Sequence, residues 1–427
     1  MDFNGLSIDQ APPISAPLRF FITAPLFGIL AGILLLLSDS ATLMSRYSVD
    51  AIVVTHLITI GLFGFIMLGA LTQMLPVLAS ANIPKVKLVT SVSHLFLLTG
   101  LLSMATGLEL SNAPALWAAS FLLGSGFLIP LFSMLYAIRG VEHLTASIKA
   151  MRMSLSFASV IVLMGMFLLY GYAEDDITQL HYIIANVHSV WAVFGFAGIL
   201  IIGVAFQVLP MFYVAPRFKQ FCKKRIVWIV SFGLLMWLLL SSYAPAYALY
   251  AKIWIATFFW AFATAVWVKF NKRKRPISDV TVWYWRAASI FLTLGAFLWI
   301  FDEFFKHEYI VMVGILIGGG FILSIMLGML YKIVPFLVWF HLNAMGYMTI
   351  PTMNEMINKT AAKVQFTLFI LALVGFIFAF YMPEVLVPSA LAFILSMAIL
   401  EYNILAAVWI YMQTKKRKPD FDMSAFK

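Results

Sequence analysis

Hydrophobic positions in this chain are grouped into long runs that short polar stretches separate. Each run is about as long as the roughly 20 residues of helix that cross a hydrocarbon core of about 30 Å. Prolines, glycines and charged clusters mark most junctions, for example Pro84-Lys85 and Glu174-Asp175-Asp176. Twelve such segments are present, approximately residues 18–38, 52–77, 88–108, 115–138, 153–173, 180–210, 225–243, 246–268, 282–301, 308–336, 362–382 and 386–412. The pattern predicts twelve transmembrane helices.

Composition narrows the class of protein further. Of 427 residues, 63% are hydrophobic and 11% are charged, whereas about a quarter are charged in soluble domains. No polar stretch between the termini could form a separate soluble domain, so residues 1–427 are predicted to be one all-α domain in the lipid bilayer. The single cysteine, Cys222, excludes a disulfide framework, a Cys-ligated zinc site and an iron–sulfur cluster within one chain.

The formal net charge of +10 is explained by membrane topology rather than by nucleic-acid binding. Twelve spans place both termini on one side, and 25 of the 28 Lys and Arg residues lie on that side. Only Arg46, Lys252 and Lys306 lie on the opposite side, which is rich in Asp and Glu. The positive-inside rule therefore predicts cytoplasmic termini. In a Gram-negative bacterium the membrane would be the inner membrane. Segment one lacks a small-residue cleavage pattern, so we expect it to be a span and not a cleaved signal peptide.

Segments two, six and ten share a pattern that membrane solubility does not require. A glycine is followed after eight residues by a second glycine, after four more by a polar residue, and after three more by a proline. The members are Gly61, Gly69, Gln73 and Pro76; Gly195, Gly203, Gln207 and Pro210; and Gly320, Gly328, Lys332 and Pro335. The offsets of 134 and 125 residues each contain four spans. We therefore predict three pseudo-threefold four-helix repeats, approximately 15–140, 150–270 and 280–412, whose shared face packs on a helix or lines a cavity.

Across essentially its whole length, the chain resembles subunit I of the heme-copper oxidase superfamily. The resemblance rests on twelve spans in three four-helix arcs, with a histidine early and a glycine and proline late in the repeated segments. His56 and His188 precede Pro76 and Pro210 at nearly the distance that separates His-Phe-His from Trp-Phe-Pro in helix ten of that family. In length, and in lacking the full oxidase ligand set, the chain is more similar to the NnrS family of heme- and copper-containing proteins connected with nitric oxide stress. The resemblance implies b-type heme, with copper as a further candidate, and a redox or nitric-oxide-related role.

Departures from the oxidase pattern argue against oxygen reduction. Residues 225–243 contain no histidine, although an oxidase takes a copper-binding histidine pair from helix seven. Segment ten has His307-Glu308-Tyr309 in place of His-x-His. The chain also has no c-type heme motif, dinucleotide fingerprint or P-loop, so a quinol or another protein would have to donate electrons.

The histidines are the strongest candidates for heme ligands, because a bis-histidine site needs two imidazoles at similar depth on different helices. His56 and His188 lie 20 and 22 residues before their repeat prolines, which places both roughly 30 Å from those prolines. They are predicted to be the primary ligand pair for heme or another metal. His307 and His181 would lie about 10 Å further toward the acidic face, as second or alternative ligands. On a helical wheel that advances 100° per residue, His188 lies on the helix face that carries the repeated glycines, polar residue and proline. His56 lies about 100° outside the corresponding face of its own segment. Interhelical hydrogen bonding is the alternative role for both.

Four polar residues within the predicted spans are candidates for a polar path. Gln73, Gln207 and Lys332 lie near the cytoplasmic ends, and Glu401 lies some fifteen residues into segment twelve. An ionisable group at that depth is a functional candidate by default. Glu401 could relay protons or pair with a Lys or His, and Lys332 could equally extend into the interface.

Two further classes of function compete with the heme protein. A cofactor-free transporter or permease would use the glycine-lined helices and the four polar residues as a substrate path. Parallel repeats differ, however, from the inverted repeats of many secondary transporters. A structural or assembly subunit of a respiratory complex is the third class. Whether the protein is an enzyme is left open by the sequence.

Overall fold

The structure, a computed structural model, describes residues 11–39, 43–274, 279–305 and 308–421. In this part of the chain there are twelve helices long and apolar enough to cross a membrane, and no strand, so the prediction of an all-α membrane protein is confirmed. The spans are α1 Ser15–Leu37, α2 Val49–Ala79, α3 Val86–Glu109, α4 Ala113–Arg139, α5 Ala146–Ala173, α6 Gln179–Tyr213, α7 Gln220–Tyr243, α8 Pro245–Asn271, α9 Val280–Phe305, α10 Ile310–Ala344, α11 Lys359–Phe378 and α12 Pro383–Thr414.

Short polar residues begin several of these helices by satisfying backbone N–H groups that have no partner within the helix. Ser48 accepts a hydrogen bond from the Ala51 amide at the start of α2. Asn112 does the same for α4, and Thr145 for α5. At Ala244-Pro245 the chain breaks between α7 and α8, so segments seven and eight are separate helices.

Three helices form the centre of the bundle. Over an 18-residue apolar stretch of each span, 61%, 72% and 67% of the residues are buried in α2, α6 and α10. The corresponding share is 33–50% in the other nine spans. α1 packs along α12, so the first and last spans are neighbours. Because the number of spans is even, both termini lie at one end of the bundle. We call the opposite end, where α1 joins α2 and α5 joins α6, the distal end.

Each central helix contains a π-helical stretch with i→i+5 hydrogen bonding. The stretches are Leu57–Gly64 in α2, Trp191–Gly198 in α6 and Ile315–Leu323 in α10. A π-helical turn has more residues than an α-helical turn, so a wheel of 100° per residue does not hold across it. The expectation that His56 lies off the repeat face relied on such a wheel and is unsound for this reason. π-Helical turns occur frequently at functional sites.

The first glycine of the repeated pattern makes close helix contacts in all three central helices. A Cβ atom would lie 2.4 Å from Phe27 Cγ at Gly61, 2.9 Å from the Phe157 ring at Gly195, and 2.4 Å from Phe291 Cγ at Gly320. In each case the phenylalanine belongs to the preceding helix in the chain. These glycines therefore allow helix packing and do not line a cavity.

Candidate functional site

The distal half of the bundle encloses a cavity of about 580 Å³. The central helices α2, α6 and α10 all contribute to its wall, together with residues of α1, α3, α4, α5, α9, α11 and α12 and of the connection between α1 and α2. Most lining side chains are apolar; the main polar exceptions are Arg46, Tyr47, His56, Tyr172, His181 and His188. An apolar pocket of this size with a few converging polar groups is the usual form of a small-molecule or cofactor site.

His56 of α2 and His188 of α6 lie side by side in this cavity. Their ring centroids are 6.4 Å apart and their planes are inclined by 34°. Both side chains are half-buried, because they face the cavity and not a packed neighbour. The structure therefore brings together the two histidines that sequence depth singled out.

Hydrogen bonds orient both imidazoles. His56 Nδ1 lies 2.7 Å from the Ile52 carbonyl oxygen, and His188 Nδ1 lies 3.1 Å from the Ile161 carbonyl oxygen. A carbonyl can only accept, so each Nδ1 carries the hydrogen and each neutral ring keeps its lone pair on Nε2. Metal-binding histidines typically donate their second N–H to a carbonyl in this way.

The donor set and spacing fit an iron porphyrin. The two ring centroids are 6.4 Å apart and a bond between a metal and an imidazole nitrogen is about 2.0–2.1 Å long, so both imidazoles could hold one metal ion. Two histidines suffice for this arrangement because the porphyrin supplies the other ligands of the iron. In the described residues, no group of three or more His, Cys, Asp or Glu side chains could hold a metal ion, so a three-histidine copper site is not found there.

Glycines of α10 form part of the cavity wall. Gly314 and Gly318 of α10 line the cavity, and a Cβ atom added at either would meet no heavy atom within 4 Å. Gly314 immediately precedes the π-helical stretch of α10, as His56 immediately precedes that of α2. Sequence analysis missed this wall, although Gly314, Gly318, Gly319 and Gly320 are a clear local cluster of glycines.

His181 also lines the cavity, two helical turns from His188 toward the distal end. It is buried, its Nδ1 has no hydrogen-bond partner, and its ring lies 5.2 Å from that of Tyr172. His181 is therefore a wall residue whose ring neighbours are tyrosines. His307, the other alternative ligand, lies outside the described residues.

The proposed polar path does not form a connected chain of side chains. No hydrogen bond joins any two of Gln73, Gln207, Lys332 and Glu401, all of which fall within the described part of the chain. Gln73 is buried with both amide atoms unpaired, and Glu401 Oε2 is likewise buried and unpaired. Gln207 is half-buried.

Lys332 forms an ion pair with a residue at the start of α9. Its Nζ lies 2.6 Å from Asp279 Oδ2. Asp279 also caps α9, since Oδ1 accepts from the Thr281 and Val282 amides. Burial alone would raise the pKa of Asp279, but the Lys332 ammonium and these hydrogen bonds outweigh burial and hold the pKa below its ordinary value.

Replacing Lys332 by methionine is expected to lower the free energy of unfolding by about 1–2 kcal/mol at neutral pH, because a half-buried carboxylate loses its counter-ion. Because the folded-state pKa of Asp279 is lowered, the contribution is present above the ordinary value of about 3.9 and is lost as the pH falls through the folded-state pKa. Thermal unfolding in detergent at several pH values measures it.

Asp279→Asn provides the control, since asparagine retains the helix cap but not the charge. Combining Asp279→Asn with Lys332→Met isolates the pair energy. Equal stability of wild-type protein and Lys332→Met at neutral pH would show that the pair contributes nothing.

A buried polar network that sequence analysis did not identify joins α9, α10, α11 and α12. The Gln365 amide oxygen accepts from the Tyr284 and Tyr331 hydroxyls, and its nitrogen donates to Ser396. Its members lie far apart in sequence and carry no motif. Because the network is satisfied internally, it is explained by helix packing.

No family model matches the chain, and a comparison with curated proteins finds no similar sequence. The fold itself defines the class: an integral membrane protein with twelve candidate transmembrane helices. Within that class, the distinctive feature is an apolar cavity that contains a histidine pair.

Proposed function

We propose that the protein is a heme-binding integral membrane protein in which His56 and His188 would hold a b-type heme. The observation that carries the proposal is the histidine pair, with centroids 6.4 Å apart and each Nδ1 bonded to a carbonyl. The apolar cavity of about 580 Å³ supports it, because a porphyrin is planar and mostly apolar. Copper remains a further candidate by resemblance to the NnrS family.

The proposed architecture is three four-helix units related by a pseudo-threefold axis, as in heme-copper oxidase subunit I. Two observations support it. The π-helical stretches in α2 and α6 are offset by 134 residues, and those of α6 and α10 end 125 residues apart. Gly61, Gly195 and Gly320 each meet a phenylalanine of the preceding helix. In this architecture the first two units supply the histidines, and the third supplies the glycine wall.

The proposed role is redox or nitric-oxide-related chemistry. When bound, heme would supply one-electron redox chemistry, with electrons from a quinol or a protein donor. The protein's part is to hold the two imidazoles through Ile52 and Ile161 and to keep water from the cavity with apolar walls.

We further propose the bacterial inner membrane as the location, with both termini in the cytoplasm. The asymmetric distribution of Lys and Arg supports this orientation. It places the histidine cavity in the periplasmic half of the membrane.

The function is tested by a dithionite-reduced minus air-oxidised spectrum of detergent-purified protein, with pyridine hemochrome quantification. We expect the α-band and Soret changes of a b-type heme at a stoichiometry of at least about one per chain. Protein purified in parallel without heme supply is the control. Absence of stoichiometric heme after expression with adequate heme would reject the proposal.

A cofactor-free transporter is the alternative function. The buried, unpaired side chains of Gln73 and Glu401 favour it, because such groups often lie on substrate or proton paths. This alternative requires protein without stoichiometric heme and loss of transport on Glu401→Gln.

A further inference from the structure

Arg46 is a cationic residue on the wall of the histidine cavity. It lies in the connection between α1 and α2, and its side chain reaches α6. Nη1 donates to Asn186 Oδ1 at 2.9 Å, and Nη2 lies 3.4 Å from Ser189 Oγ. The guanidinium also lies 5.1 Å from the centre of the Tyr47 ring. These contacts fix a normally flexible side chain in one place.

The charge of Arg46 has no carboxylate partner in the described part of the chain. Its hydrogen bonds go to neutral oxygen atoms of Asn186 and Ser189. Lys252, also at the distal end, is by contrast buried and neutralised by Glu303, with Nζ 2.5 Å from Oε2. Arg46 therefore presents an uncompensated positive charge at an apolar cavity, where the low dielectric strengthens its attraction for an anion.

The neighbours of Arg46 connect it with the histidine pair. Ser189 follows His188 in α6, so the guanidinium lies beside the turn that carries a proposed ligand. A guanidinium has five N–H donors, and the bonds to Asn186 and Ser189 use two of them. The remaining donors can bind a carboxylate, for which the planar guanidinium is well suited.

We propose that Arg46, positioned by Asn186 and Ser189, binds a carboxylate of the ligand in the histidine cavity and so sets the ligand's orientation. The inference rests on the proposed heme function and deepens it by assigning the subsite for the acidic edge of the porphyrin. Iron protoporphyrin IX is apolar over most of its surface and carries two carboxylates on one edge. The cavity has the matching character, with apolar walls and a fixed cation on one side.

The test compares iron protoporphyrin IX with its dimethyl ester, in which both carboxylates are neutral. Each is titrated into full-length, heme-depleted protein in detergent, and binding is followed by the Soret band. We expect wild-type protein to bind the diacid at least about tenfold more tightly than the ester. Arg46→Gln is expected to lose about tenfold in affinity for the diacid and to change affinity for the ester less than about twofold.

Two variants separate recognition from structure. Arg139→Gln removes an exposed arginine at the other end of the bundle and is expected to bind both porphyrins as wild type does. Asn186→Ala keeps the charge of Arg46 but loosens its position, so we expect a smaller loss that is again confined to the diacid.

Each remaining outcome overturns the inference in an identifiable way. Equal wild-type affinity for the diacid and the ester would show that no carboxylate is recognised, while heme binding itself stands. An equal loss of affinity for both porphyrins in Arg46→Gln would show that Arg46 serves only to hold the connection between α1 and α2 against α6. Failure of the wild-type protein to bind either porphyrin would reject the proposed function and this subsite with it.

Discussion

Replacing either His56 or His188 by alanine is expected to reduce heme content at least about tenfold and to abolish the bis-histidine spectrum. If the two imidazoles hold the iron as proposed, each variant would leave a single imidazole to bind it and would lose one metal–nitrogen bond. The fold should survive, because each ring makes one hydrogen bond to a backbone carbonyl and otherwise faces the cavity. Heme-to-protein ratio, the reduced spectrum and gel filtration measure these effects.

Two other histidines provide matched controls. His143 is exposed in the connection between α4 and α5, so His143→Ala should keep wild-type heme content. His94 is held by Thr23, with Nε2 2.8 Å from Oγ1, and packs on the rings of Phe20 and Phe65. His94→Ala should therefore lower thermal stability without removing the heme spectrum.

Imidazole added to the medium offers a rescue experiment. In His188→Gly the vacated space opens to the cavity, so free imidazole should restore part of the spectrum. Wild-type heme content and spectrum in both alanine variants would show that the ligand assignment is wrong.

Replacing Gly318 by leucine is expected to have the second-largest effect, a decrease in heme content of at least about tenfold with an intact fold. A Cβ atom at Gly318 meets nothing within 4 Å, so the new side chain extends into the cavity and takes the ligand's space. The heme-free protein should be as stable as wild type or slightly more so, because filling a void adds contacts and leucine favours helix over glycine. Heme-to-protein ratio and the melting temperature of the heme-free protein distinguish the two effects.

Gly320→Leu is the matched control on the same helix. A Cβ atom there would lie 2.4 Å from Phe291 Cγ, so the larger side chain forces α10 away from α9. We expect this variant to lose about 1–3 kcal/mol of stability, whether or not heme is present. If Gly318→Leu retained heme at the wild-type ratio, the ligand would not occupy this cavity.

The histidine pair shows how far sequence reasoning reaches into the site. Counting residues back from the repeat prolines placed His56 and His188 at nearly equal depth. The count holds because α2 and α6 each contain a π-helical stretch of eight residues between histidine and proline, so the change in rise is the same in both. The direction in which each histidine side chain points was harder to predict. Each histidine lies just before a π-helical stretch, and a wheel with a constant angle fails across such a stretch.

Other parts of the site were beyond the reach of sequence. Arg46 was identified only as a cation on the acidic side, since nothing in its local sequence indicates that it reaches Asn186 in α6, 140 positions later. Lys332 was considered for a polar path or for extension into the interface, and its ion pair with Asp279 was not predicted. Such pairings depend on which helices are neighbours, and a single sequence does not contain that information.

The sequence by itself determined that this protein has twelve helices long and apolar enough to span a membrane, and it placed most of their ends to within about five residues. The exceptions are the start of α5, which lies seven residues earlier than predicted, and the end of α10, which lies eight residues later. That information is local, because crossing an apolar layer requires an uninterrupted run of hydrophobic residues and an internally bonded backbone. Tertiary structure alone decided that the ring centroids of His56 and His188 lie 6.4 Å apart, that glycines of α10 line the same cavity, and that Arg46 contacts Ser189 next to His188. These are relations between helices far apart in the chain, and they arise only when packing fixes the rotation and distance of each helix against its neighbours.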